Sequence, residues 1–247
     1  MYLQELMETY PESEKFKKKF PKLWDYAKKV EIIKWQDEFN IADYNPEIID
    51  EIKFLEMLFK NKMISQEEYM KKMKTLPIAS KTIGIAFIDE DKVSFRNERP
   101  SFRVIVHELG HCYYKAPDRI WSSSYPGGGE NILWIIYNDK LEGDEDTIEA
   151  WIDLIKLSYE DRKKAMKFLD ELALKIAKKY KIEFEGNKRP IVELMRCAGT
   201  LPSSTPPMPF PFYENIIDSL KWGDTHYDVF AEELFEELKK KKGKLQT

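Results

Sequence analysis

PSFRVIVHELGHCYYK, residues 100–115, is the stretch that decides the fold expected of this chain. Proline is well suited to the first turn of a helix, and apolar side chains then recur at helical spacing. The apolar positions are Phe102, Ile105, Leu109 and Cys112. The pattern predicts a helix with one buried face, which ends at Ala116-Pro117.

A metal-binding pattern lies inside this helix, where Glu108 directly follows His107 and precedes His111. Residues four apart share a helix face one turn apart, so both imidazoles can ligate one metal ion. Glu108 flanks that face and can reach a metal-activated water without ligating the metal, as a general base must. Two of the chain's 3 histidines belong to this HExxH motif. We therefore expect one Zn²⁺ per chain.

The composition limits the class of protein. Of 247 residues, 43% are hydrophobic and 13% aromatic, which excludes a wholly disordered or collagen-like chain. With 40 basic and 44 acidic residues, we expect neither nucleic acid nor membrane as a partner. Two cysteines make no disulfide framework, and no signal peptide or membrane span is visible, so a soluble, cytoplasmic protein is expected. The 34% of charged residues, mostly Lys and Glu, is typical of proteins from hot environments.

Two regions are expected along the chain. Residues 1–76 predict a helical region that serves as a lid, a docking surface or packing, with helix starts at Pro46 and Ser65. Residues 77–247 predict the domain that carries the chemistry. It begins with a β-hairpin over residues 81–96, where β-branched and aromatic residues flank an acidic turn.

The segments behind the motif are mostly helical in pattern. A glycine-containing loop covers residues 122–130, and residues 131–138 fit either a helix or a buried strand. The remaining expectations are helices over 145–158 and 160–180, extended chain over the proline-rich 201–212, and a C-terminal amphipathic helix over 228–244.

The order of hairpin and HExxH helix over residues 81–155 resembles the zincin metallopeptidases. The resemblance implies an α+β fold whose zincin-like core combines a small sheet or hairpin, the motif helix and a following ligand helix. Helical extensions would flank this core at both ends. It also implies zinc, and a peptide or protein substrate whose backbone lies along an edge strand.

The third zinc ligand is inferred from the same resemblance. The sequence CYYKAP after His111 excludes the metzincin pattern HExxHxxGxxH. Glu149 and Asp153 resemble the gluzincin ExxxD signature, which implies that Glu149 ligates zinc and Asp153 hydrogen-bonds a ligand histidine. Glu130, closer behind the motif, resembles the spacing in thermolysin-like and aminopeptidase families and is the alternative ligand. His226 and Glu145 stay open as well.

The resemblance also implies a role for a histidine that follows the motif in sequence. Thermolysin-like enzymes use such a residue, oriented by an aspartate, to stabilise the oxyanion of the tetrahedral intermediate. His226, with Asp224 or Asp228 beside it, or else Tyr227, is the candidate for this role.

The function expected is hydrolysis of peptide bonds by a metal-activated water, with Glu108 as general base. An intracellular endopeptidase of narrow specificity is favoured, because no secretion signal or pro-segment is visible. Two alternatives stay open. One is a zincin-fold binding or regulatory module with weak or no turnover, and the other is an aminopeptidase. The intact Glu108 favours an active enzyme, and the sequence predicts no oligomeric state.

Overall fold

The computed structural model describes residues 1–36, 55–75, 83–124, 127–184, 189–197 and 225–245. The chain divides into two compact units. The first unit comprises Met1–Ser13 and Trp24–Pro117, and the second unit comprises Glu14–Leu23 and Asp118–Thr247. Helices and one small mixed sheet make the fold α+β, as the sequence predicts. The predicted boundary at residue 76 falls outside the described residues and stays a prediction.

The sheet belongs to the first unit and has the order β1-β3-β2. Its strands are β1 (Glu31–Ile33), β2 (Gly84–Phe87) and β3 (Lys92–Phe95). Strands β2 and β3 pair antiparallel, which confirms the predicted hairpin, and β1 pairs parallel with β3. The wholly helical character predicted for residues 1–76 is therefore wrong at β1. The partner strand β3 lies about sixty residues further along the chain, and local periodicity does not predict a pairing over such a distance.

Eleven named helices are present among the described residues. They are α1 (Leu3–Met7), α2 (Ser13–Lys19), α3 (Pro21–Tyr26), α4 (Gln66–Thr75), α5 (Phe102–Tyr114), α6 (Asp118–Trp121), α7 (Gly129–Tyr137), α8 (Glu145–Glu160), α9 (Arg162–Tyr180), α10 (Pro190–Cys197) and α11 (Thr225–Leu245). Residues 55–60 are also helical, while the predicted helix start at Pro46 and the proline-rich segment 201–212 lie outside the described residues. None of the helices in the described ranges combines the length and apolar character that crossing a bilayer demands.

Helix α5 is the motif helix, and its ends are well defined. The Ser101 hydroxyl accepts the Val104 N–H at 3.4 Å at the start, and Lys115 ends the helix in the left-handed conformation. The four apolar positions of its predicted inner face are all buried: Phe102, Ile105, Leu109 and Cys112. The burial of this face fixes the helix within the first unit.

The second unit is built around α8. Residues 132–137, ambiguous in the sequence, are part of helix α7. Helix α8 packs against α7, α9 and α11, and the Trp151 ring meets Phe235 edge-on at 5.2 Å. The predicted helices over 145–158, 160–180 and the C-terminal segment are thereby confirmed.

Glu145, the first residue of α8, joins that helix to the start of α3. Its carboxylate accepts the N–H groups of Lys22 at 2.6 Å and of Leu23 at 3.2 Å. These two amides belong to the first turn of α3, where no carbonyl within the helix can accept them. Burial raises the pKa of Glu145 above its ordinary value, although backbone N–H groups oppose the shift. The carboxylate therefore caps a helix that lies far away in sequence.

Replacing Glu145 by Ala should lower the free energy of unfolding by about 1–3 kcal/mol, because two backbone N–H groups lose a buried acceptor. Glu145→Gln keeps an acceptor oxygen and should retain most of the stability. Since the folded pKa is raised, the contribution of the wild-type carboxyl is largest below its unfolded pKa. This contribution declines as the pH rises through the folded pKa. The free energy of unfolding of Glu145→Gln should therefore rise relative to that of the wild type over that pH range. Urea unfolding across this range measures both effects, and equal losses in the two variants would contradict the capping role.

Candidate metal centre

His107 and His111 face each other on α5. Their Nε2 atoms are 3.2 Å apart, and the two rings are nearly perpendicular at an angle of 84°. Two nitrogen ligands at about 2.0–2.1 Å from a tetrahedral zinc ion lie about 3.3 Å from each other. The spacing of the two Nε2 atoms therefore fits joint ligation of one ion.

The ring of His111 is held by the chain that follows its own helix. Its Nδ1 lies 2.7 Å from the carbonyl oxygen of Ala116, and the side chain is buried. A carbonyl can only accept, so Nδ1 carries the hydrogen and donates it. In the neutral ring, Nε2 then has the lone pair that a metal requires. This hydrogen bond selects both the orientation and the tautomer that ligation needs.

Asp118 completes a group of three possible ligands with His107 and His111. One donor atom from each residue lies within 4.8 Å of the other two. Asp118 is the first residue of α6 and directly follows the Ala116-Pro117 turn. Two imidazoles and a carboxylate form a donor set that suits zinc or another divalent transition metal. Among the described residues, this group is the candidate metal centre.

The sequence pattern does not identify Asp118. Its place beside the histidines depends on the backbone angles of the few residues after α5, which residue type and periodicity do not specify. The ExxxD signature further along the chain instead indicates Glu149.

Glu108 lies beside the histidines but is not one of the three grouped residues. Its side chain is 5% exposed, and Gly84 of β2 lies directly against its carboxyl group. A Cβ atom built on Gly84 would stand 2.5 Å from Glu108 Oε1, closer than two such atoms can approach. The absence of a side chain at Gly84 therefore makes room for the Glu108 carboxyl. Glu108 follows His107 directly in the chain and is not a member of the group, as expected of a general base.

Glu130, the alternative ligand inferred from spacing, is engaged in local hydrogen bonds. It is 1% exposed, Oε2 accepts the Ser123 N–H at 2.8 Å, and Oε1 accepts the Trp134 indole N–H at 2.9 Å. These bonds tie the loop at residue 123 to helix α7. Glu145 likewise serves the start of α3. Both acids therefore have structural reasons for their burial.

Glu149 and Asp153 lie one turn apart on α8, as predicted, and both are half-buried. Neither is a member of the group formed by His107, His111 and Asp118. The roles of Glu149 as zinc ligand and of Asp153 as partner of a ligand histidine stay predictions.

His226 and Tyr227 lie in the first turn of α11, but their side chains are not among those the structure describes. Asp224 lies outside the described residues altogether. The predicted oxyanion role of His226 or Tyr227 therefore stays a prediction.

Cys112 is a core residue rather than a ligand. Burial, and then the charge of Glu108, raise the pKa of its thiol to about 12. Its sulfur lies 3.8 Å from the carbonyl oxygen of Lys92 on β3. A thiol with so high a pKa is protonated at neutral pH and is a poor nucleophile.

Comparison of the chain with models of protein families, with curated proteins and with solved structures finds no match. The chemistry of the site therefore has to be argued from its own residues.

Gly84→Ala should displace the Glu108 carboxyl and cost about 1–3 kcal/mol of stability, as overpacking usually does. In a Glu108→Ala background the same change should cost much less, because the clashing carboxyl is gone. Unfolding of the wild type, both single variants and the double variant gives the coupling between the two sites. Ala86→Gly, on the same face of β2, is the control for strand propensity. Additive costs would contradict the close approach.

Proposed function

We propose that this chain is a zinc-dependent peptidase, with the metal held by His107, His111 and Asp118. The observation that carries the proposal is the convergence of their donor atoms, two of them on the helix that also carries Glu108, a carboxyl residue outside the group. The hairpin placed before the HExxH helix, as in zincins, supports the same conclusion.

The residues present fit a zinc ion in donor chemistry and in spacing. Both Nε2 atoms point at one another across 3.2 Å, and Nδ1 of His111 is committed to Ala116. Asp118 adds a negative charge that offsets part of the charge of a divalent cation. We therefore favour Asp118 over Glu149 as the third ligand.

Each side chain has a separate task in peptide hydrolysis. When bound, zinc lowers the pKa of a water molecule toward neutrality and polarises the carbonyl of the scissile bond. Glu108 would accept a proton from the attacking water and return it to the leaving amine. The contact with Gly84 limits the positions open to the carboxyl, so less ordering is needed when substrate binds. The Ala116 carbonyl keeps His111 in one tautomer throughout.

The substrate class proposed is a peptide or protein in extended conformation. Strand β2 carries Gly84 beside Glu108, and among the described strands it pairs only with β3. A strand edge of this kind can receive an extended backbone. We favour an endopeptidase with few substrates that acts inside the cell.

A zinc titration separates the candidate ligands. His107→Ala and His111→Ala should abolish stoichiometric binding. Removing a residue that hydrogen-bonds a metal ligand typically lowers metal affinity by about 10–100-fold. Asp118→Ala removes a proposed ligand itself and should lower zinc affinity by more than that. Competition with a chromophoric chelator measures the affinities, and elemental analysis gives the stoichiometry.

Glu149→Ala is the matched comparison in this titration, and Asp118→Asn tests the charge with little change of shape. Loss of the metal in Glu149→Ala with retention in Asp118→Ala would show that the sequence-based ligand is right and Asp118 is not. A wild-type chain that binds no zinc after refolding with it would remove the metallopeptidase proposal.

Glu108→Gln should keep the metal and lower peptide hydrolysis by about 10²–10⁴-fold, because the amide cannot accept the proton. Cleavage of a broad peptide library, followed by mass spectrometry, measures the effect. Equal cleavage by both proteins would exclude Glu108 from the mechanism. Release of N-terminal residues alone would favour an aminopeptidase, and no cleavage by a zinc-loaded wild type would favour a non-catalytic module.

A further inference from the structure

Lys115 ends the motif helix in a conformation that needs support. Its backbone angles are φ 46° and ψ 50°, in the left-handed region that non-glycine residues rarely adopt. Its side chain reaches the turn between β2 and β3. There Nζ donates to the Ile88 carbonyl at 2.5 Å and to the Asp91 carboxylate at 2.5 Å. Two contacts to one turn thus hold this residue.

Tyr26 ties the same turn to the end of the helix. Its hydroxyl lies 2.5 Å from Asp91 Oδ1 and 3.3 Å from the carbonyl oxygen of Cys112. The ring also packs edge-on against Tyr113 at 5.2 Å. Asp91, Lys115 and Tyr26 therefore form one connected cluster, called here the turn cluster.

The protonation states within the turn cluster do not change near neutral pH. Partial burial of Asp91 favours a higher pKa, but hydrogen bonds from Lys115 and Tyr26 outweigh it and hold the pKa below its ordinary value. Burial and then the bond to Asp91 raise the pKa of Tyr26 to about 12. Asp91 is therefore ionised and Tyr26 is neutral over the pH range of ordinary assays.

The backbone of Lys115 determines where the next residue points. Ala116 follows at once, and its carbonyl is the acceptor for His111 Nδ1–H. We infer that the turn cluster positions the metal site, by holding Lys115 so that the Ala116 carbonyl orients His111. The inference rests on the proposed function, because it concerns the same metal site.

The exposure of the cluster distinguishes positioning from simple stabilisation. The Lys115 and Asp91 side chains are 45% and 35% exposed, and ion pairs at that exposure contribute little to global stability. The effect of breaking the pair should therefore appear in the His111 ring and in metal affinity, and only weakly in unfolding.

The experiment uses the full chain and two readouts. Long-range ¹H–¹⁵N correlation spectra of the metal-free protein report the tautomer of each ring, and only 3 histidines need assignment. Zinc titration with a competing chelator reports affinity. In Lys115→Met we expect the Nδ1–H tautomer of His111 to lose population. Zinc affinity should fall by about 3–10-fold, less than for a direct partner of a ligand.

Matched variants keep the test decisive. Lys115→Arg should restore both readouts, because its guanidinium can reach the same acceptors. Asp91→Asn should act in the same direction as Lys115→Met and carries the test if that variant does not fold. Glu90→Gln breaks the exposed pair with Lys92 on the same turn and should change nothing.

The outcomes separate this inference from the proposed function. An unchanged tautomer and affinity in Lys115→Met and Asp91→Asn would overturn the inference, as would a loss of stability with no change at His111. A wild type without zinc affinity would overturn the proposed function, while the tautomer spectra would still test the positioning of His111.

Discussion

The hydrogen bond from His111 Nδ1–H to the carbonyl of Ala116 is the constraint on which the candidate metal site depends. A helix alone brings two imidazoles to one face, but each ring can still rotate and can carry its proton on either nitrogen. The bond removes that freedom at His111, because it places the hydrogen on Nδ1 and leaves Nε2 for a metal. The acceptor lies just beyond the end of the same helix. The end of α5 therefore matters to the candidate site, because the left-handed Lys115 directly precedes the residue whose carbonyl accepts this bond.

The sheet contributes at the other side of the motif helix. Gly84 approaches the Glu108 carboxyl so closely that any side chain there would displace it. Helix α5 thus carries both the Glu108 carboxyl and the two histidines, and the hairpin contacts the Glu108 carboxyl and the end of the helix that follows His111. Strand β2 limits the positions of the Glu108 carboxyl. The turn between β2 and β3 binds the side chain of Lys115, the residue before the Ala116 carbonyl that accepts from His111.

Much of this was predictable because it is local. The period of α5, its buried face and the pairing of His107 with His111 follow from helical spacing, and the hairpin follows from residue type around an acidic turn. Strand β1 was missed because its stability comes from a partner distant in sequence. Asp118 was missed for a different reason. Its place near the histidines depends on the backbone angles of a few residues after α5, and composition and periodicity do not encode those angles. The helix over residues 145–160 was predicted correctly, whereas the ligand role of Glu149 was taken from a signature and not from geometry.

The acids of this chain show why spacing is a weak guide to metal ligands. Glu130 and Glu145 are both nearly inaccessible, and in a sequence either one resembles a third ligand. Glu145 accepts two backbone N–H groups, and Glu130 accepts one backbone N–H and an indole N–H. A buried carboxylate must be satisfied by donors or by a cation, and these two are satisfied by donors. Asp118 differs because its nearest titratable neighbours include two imidazoles whose nitrogens are spaced for one ion. Asp118 is therefore the candidate ligand because the folded chain groups it with two imidazoles, an arrangement that spacing in the sequence does not specify.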